Sequence, residues 1–333
     1  MPLRREQTVP SGRLLMTMKT KAYIKAVIAV WALWAVSCSK TELCPDVPQD
    51  EITLEPAAEA MLSKAVITGT SMPDGFHIWL STYLTDEKEP TNERNYFTDI
   101  EYAKSGAVWR STPAHYWPMQ GVLDFLGIAT DPALGATFSW NSTRNTSQVD
   151  VNVPDTYDNQ TEVLYAASYP LDGVHVSVPM SFRHSQAMLT FRIRTDVTDL
   201  IRVTDITVKD VYTDGILTVH GSGQLSAEWD FSGSTPADRT VHKPSASYYQ
   251  EPTGSYVSFG NGILLPEQQN KVFVISYRQR ANTGIAWDSD LVVDQTFTFD
   301  DTFRLWQMGK QYFYNIDFSL TGITVTPDIT PWN

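Results

Sequence analysis

The sequence predicts an all-β protein whose body divides into two β-sandwiches, and three observations carry this. Apolar residues alternate with polar ones in short runs, the period-two pattern of a strand with one face buried. Trp, Tyr and Phe number 10, 15 and 14 in 333 residues, and aromatic side chains suit a pleated, half-buried surface. No amphipathic helix longer than about two turns can be traced, the nearest being Pro56–Lys64.

The first element is an address. Lys19, Lys21 and Lys25 precede eleven apolar residues, Ala26–Val36, and then Ser37 and Cys38. A basic start, a short apolar segment and small residues before a cleavage point make a signal peptide over residues 1–37. Met16 or Met18 offers an alternative start, because residues 1–15 lack signal character. Eleven helical residues rise about 16 Å, against a bilayer core of roughly 30 Å. Ala35-Val36-Ser37-Cys38 resembles a bacterial lipobox, which implies cleavage before Cys38 and acylation of that residue. Residues 38–64 then read as a lipidated tether, polar at first and carrying Pro45 and Pro48.

The body follows as strands. Phe76, Ile78, Leu80 and Leu84 share one face of Phe76–Leu84. Leu189, Phe191 and Ile193 share another, with Thr190, Arg192 and Arg194 opposite. Ile206 and Val208, then Val272, Val274 and Ser276, repeat the theme; Tyr312, Tyr314, Ile316, Phe318 and Leu320 close it. Pro73-Asp74-Gly75 precedes one strand, while Asp172-Gly173 and Asp214-Gly215 predict tight hairpin turns. Pro170-Leu171-Asp172-Gly173 breaks the chain, so the spacing predicts an N-terminal sandwich over 65–170 and a C-terminal one over 171–333.

Several function classes are disfavoured. The net charge is −13, and −18 after residues 1–37 with their six basic and one acidic side chain are removed; such a surface repels nucleic acid. Cys38 and Cys44 are the only cysteines, so no disulfide framework underlies the fold. The six histidines, His77, His115, His175, His184, His220 and His242, have no ligand spacing on one strand face, and no metal or other cofactor is expected. No nucleophile elbow, P-loop or dinucleotide fingerprint is present, so no catalytic residue and no enzyme activity are expected. Asp300 and Asp301 read as an acidic loop, with calcium as the sharper alternative. Most tryptophans read as core, although they could stack on sugars.

Blocks in order along the chain resemble the fimbrillin family of Bacteroidetes. They include Ser63-Lys64-Ala65-Val66-Ile67-Thr68-Gly69 before Phe76–Tyr83, Tyr116-Trp117-Pro118 before Val122-Leu123-Asp124-Phe125, and Val163-Leu164-Tyr165-Ala166. Val178–His184 with Met188–Ile193, Ile206–Lys209 with Gly215–Leu217, and Trp306, Gly309, Tyr312 and Tyr314 complete the set. The resemblance implies two tandem transthyretin-like Greek-key sandwiches. It also implies export as a lipoprotein to the outer membrane, and assembly of a surface fimbria by donation of strands between subunits, supporting adhesion.

In this family an N-terminal segment serves as a first strand and is then removed by a surface protease. Mapped here, that strand lies between Cys38 and Lys64, with Ile52, Thr53 and Leu54 as its apolar alternation and Lys64–Ala65 as the candidate processing point. The family's cut usually follows Arg, whereas Lys64 stands here. The C-terminal stretch with Val325, Ile329 and Trp332 is a candidate donor strand or mobile tail, with a closing edge strand as the alternative. Expected partners are other fimbrial subunits, the outer membrane through lipid on Cys38, and a host or glycan ligand. The alternative reading is a lipid-anchored surface protein that binds a glycan or host ligand on the same fold without polymerising.

Overall fold

Alternation builds the sheets where it is cleanest. Along His77–Thr85 the burial runs strictly every second residue, with Ile78, Leu80, Thr82 and Leu84 inward. The preceding turn closes as expected, the Phe76 amide donating to the Pro73 carbonyl at 3.1 Å. The computed structural model describes residues 51–332 except 59–71, 133–136, 141–145, 155–159, 161, 173–176, 222–223, 243–250, 270, 301–304 and 320. Cys38, Lys64 and Ala65 lie outside the described residues, as do Asp301 and most of the Asp172-Gly173 turn.

Residues 49–333 form one compact unit, and its named elements among the described residues are strands and one 3-10 turn at Pro90–Asn92. The strands are β1 (Leu54–Ala58), β2 (His77–Thr85), β3 (Arg94–Ser105), β4 (Val108–Ser111), β5 (Val122–Thr130), β6 (Thr137–Trp140) and β7 (Thr146–Asn152). Next come β8 (Leu164–Leu171), β9 (Val178–His184), β10 (Gln186–Thr195), β11 (Ile201–Val211), β12 (Asp214–His220), β13 (Ser226–Asp230) and β14 (Ala237–His242). The last are β15 (Val257–Pro266), β16 (Gln268–Gln269), β17 (Phe273–Gln279), β18 (Val293–Phe299), β19 (Leu305–Trp306), β20 (Lys310–Ser319) and β21 (Gly322–Pro331).

Two hydrophobic cores organise them. The first lies inside strands joined in the cyclic order β1-β4-β3-β2-β5-β8-β9. The sheet β13-β12-β7-β6 adds Val149, Val151, Leu217 and Val219 to the same core. The second lies between β15-β10-β20-β21 and β14-β11-β17-β18, and is built on Phe191, Phe259, Phe273, Trp306 and Tyr314. Phe191 stacks on Tyr314 at 5.3 Å and meets Phe273 edge-on at 5.0 Å, offset geometries that aromatic quadrupoles favour. The first core takes in strands as far as β9 together with Met188, Leu217, Val219, Leu264 and Trp332, and the second begins with Ala187 on β10.

Three strand readings change. Phe273 and Ile275 are buried on β17 while Val274 is only half-buried, so the inward face is the opposite of the one Val272 and Val274 suggest; both phases read as apolar. On β10 both faces are covered up to Phe191: Leu189 enters the second core and Met188 the first. Asp214-Gly215 is not a hairpin turn. It opens β12, which leaves β11 to pair with β7 across the molecule, while β11 lies between β14 and β17.

Candidate functional site

The N-terminal segment completes the first core. Glu51 bridges Tyr116, the Ile52 amide donates to the His115 carbonyl at 2.8 Å, and Leu54 lies opposite Trp109 on β4. On its other edge β1 runs parallel to β9, with Leu54–Ala58 in register with Val178–Phe182. The Val178 amide donates to the Thr53 carbonyl at 2.8 Å and extends that ladder. The remaining strands of the cycle, β4-β3-β2-β5-β8-β9, form one curled sheet, and β1 spans its two ends.

Ile52 and Leu54 are i and i+2 on an extended chain and therefore share a face. Both are buried in the first core, at 0% and 2% exposure. Each such side chain contributes about 1.5–3 kcal/mol relative to exposure. Thr53, on the other face, is also buried, whereas Glu55 is exposed. The segment thus sits in a groove covered on both sides at its start and opening towards Ala58. Glu51 is buried at its mouth near Tyr102. Burial pushes the Tyr102 phenol up, the Ser111 hydroxyl opposes this, and the Glu51 charge adds to it.

The C-terminal residues form an edge strand. Among the described residues β21 pairs with β20 alone, from Lys310 opposite Pro331 to Ser319 opposite Gly322. Ile323 and Val325 pack against the second core, and Ile329 is 44% exposed. Pro327 and Pro331 lack amide donors and Asp328 is charged, features that protect an edge from unplanned pairing. Trp332 does not follow this sheet inward; it is 2% exposed within the first core and stacks on His184 at 4.5 Å. His184 in turn faces Glu162, Nδ1 to Oε1 at 3.4 Å, with both side chains 1% exposed.

Little else gathers into a site. Among the described residues no three His, Cys, Asp or Glu side chains converge as metal ligands. An open depression of about 560 Å³ is lined by Arg194, Thr195, Asp196 and Asp317 among others. Arg194 and Asp317 pair with each other there, and the Phe318 ring on its wall is buried.

A fimbrillin-like family model matches residues 64–332. The chain belongs to the fimbrillin-like family. Two solved structures share its fold at low identity. A fimbrial protein from Bacteroides vulgatus is 14% identical with a TM-score of 0.53, over 84% of this chain and 99% of its own. A candidate cell adhesion protein from Bacteroides uniformis is 16% identical with a TM-score of 0.50, over 85% of this chain and 99% of its own. No curated protein matches the sequence.

The fimbrillin-like match begins at Lys64 and so leaves β1 outside it. Of the residues singled out in sequence, Ile52, Thr53 and Leu54 come together in the groove, while Val325 and Ile329 lie on the far edge strand. Trp332 joins the same core as Ile52 and Leu54. Sequence reasoning missed two features. One is His184 as the seat of Trp332. The other is a short repeat: Ile52-Thr53-Leu54-Glu55-Pro56 in the groove and Ile323-Thr324-Val325-Thr326-Pro327 on β21. Comparing the two ends of the chain would have revealed it.

Proposed function

We propose that this fimbrillin-like protein is a subunit of a surface fimbria, exported as a lipoprotein on Cys38 and assembled by strand donation. Its two cores are the interiors of two tandem sandwiches. Family membership supports the subunit role. The observation that carries the assembly mechanism is β1. It is a strand outside the family match, it bridges the two ends of a curled sheet, and it is buried through its own Leu54 and through Ile52 just ahead of it. Removing residues up to Lys64 leaves free backbone groups on β4 and β9 beside two vacated pockets. An added strand satisfies the first through its backbone and the second through alternate side chains.

The repeat at the C-terminus supports β21 as the donor. Seated in the groove of a second subunit, Ile323 takes the place of Ile52, Val325 that of Leu54, and Pro327 that of Pro56. The donor then runs parallel to β9, as β1 does. As an edge strand it can leave without breaking a second ladder, since it is hydrogen-bonded to β20 on one side.

The test is limited trypsin digestion of residues 39–333 with native gels and mass spectrometry. Expected is a cut near Lys64, loss of the leader and growth of a ladder of oligomers. A chain that loses its leader and stays monomeric refutes assembly by donation. In cells, Cys38→Ala is expected to abolish fatty-acid labelling and release the protein; labelling that persists rules out the anchor.

A further inference from the structure

The two ends of the described chain meet on one strand. β1 runs along Val178–Phe182 of β9, and His184, two residues further, carries the Trp332 ring. Among the described residues β9 is held to its other neighbour, β8, at two positions only, Leu164 opposite His184 and Tyr165 opposite Arg183. Its inward side chains, Val178, Met180, Phe182 and His184, are all buried in or against the first core. β9 is thus laddered to β1 along Val178–Phe182 and to β8 at its far end, Arg183 and His184.

The tie to the C-terminus is equally specific. The Trp332 amide donates to the Gly309 carbonyl at 2.8 Å, and the Gly309 amide donates to the Gln186 carbonyl at 3.0 Å. Two backbone hydrogen bonds and one ring stack thus fasten the end of β21 to the joint between β9 and β10. Beneath the stack the Ser185 hydroxyl donates to the Val163 carbonyl at 2.6 Å, and the Val163 amide donates to the Gln186 side chain at 3.1 Å. These bonds brace the joint on that side, and β9 ahead of His184 has none of them.

We propose that β9 is an interlock: a seated N-terminal strand keeps β21 clamped through His184 and Trp332, and its departure frees β21. This rests on β21 being the donor. It adds that a subunit releases its donor only after its own groove has been vacated. With β1 gone, β9 becomes an edge strand with two remaining ladder positions, so it can shift or fray, and His184 moves with it. Trp332 then loses the ring on which it stacks. Coupling of this kind is reciprocal: whatever β1 does for Trp332, Trp332 must do for β1.

Hydrogen exchange with mass spectrometry on the intact monomer tests this without any polymer. Leu54→Ala is expected to speed exchange in Gly322–Pro331 by about 5- to 150-fold, the usual span of coupling between sites. Trp332→Ala is expected to speed exchange in Leu54–Ala58 by the same factor. Protection of β11 and β17, in the second core, stays unchanged. Ile52→Val, one methylene smaller, gives the same comparison should Leu54→Ala not fold. Faster exchange in β1 with unaltered β21 overturns the interlock. So does equal acceleration of β11 and β17, which means global opening. Because only monomers are read, a chain that shows the coupling yet forms no ladder after leader removal would retain the interlock and refute donation.

Discussion

Tyr102 lies near Glu51 with no exposure, and its phenol titrates above its ordinary value of 10.0 because burial disfavours the phenolate. A tyrosine whose folded value is raised stabilises nothing extra below pH 10, where both states are protonated. Above that pH the unfolded chain ionises first, and stability falls as pH rises. Thermal melts are expected to be flat in pH on this account up to about 10 and to drop beyond it, with a smaller drop in Tyr102→Phe. Gly121 illustrates a different constraint. Its φ is +87°, and a Cβ there would lie 2.7 Å from the Thr85 carbonyl oxygen. Backbone cannot give way, so Gly121→Ala is expected to cost about 1–3 kcal/mol by chemical denaturation. Gly106, at φ +66° with open space around it, should cost only the left-handed penalty of about 1–2 kcal/mol.

Alternation located the strands well where one face meets water. The faces of β2 and β20 are those expected from Ile78, Leu80 and Leu84 and from Tyr312, Tyr314, Ile316 and Phe318. It was ambiguous on β17, where Phe273-Val274-Ile275 is apolar in both phases, and on β10, which is covered on both sides. Donation makes a demand at this level that can be measured. Val325 is half-buried on an edge strand, so Val325→Asp should leave a folded monomer. The same aspartate would enter the apolar pocket that Leu54 fills, and ladders after trypsin treatment should vanish. Unchanged ladders in that variant would show that another segment donates. The repeat of Ile-Thr-aliphatic-x-Pro at both ends was legible without coordinates; its meaning was not, because only the groove around Ile52 and Leu54 says what such a segment can fill.

Across the molecule the formal charge is −13, and −18 without residues 1–37. Like-charged subunits repel at long range, and salt screens this over a Debye length of about 10 Å at 0.1 M. After leader removal, ladder growth should be faster at 0.5 M than at 0.02 M salt; a slower rate at high salt would mean that attraction between opposite local charges, not net repulsion, governs encounter. The chain's own residues determined the strand-rich character, the candidate signal and lipid site at Cys38, and the kinship that the family match bears out. Tertiary structure alone decided the pairings. β12 leaves β11 for β7, β1 lies beside β9 more than 100 residues away, and Trp332 crosses from the second sheet system into the first core. The physical reason is that alternation is a local property, set by which face of a strand is wet, whereas a ladder joins backbones whose separation in sequence leaves no trace in either one.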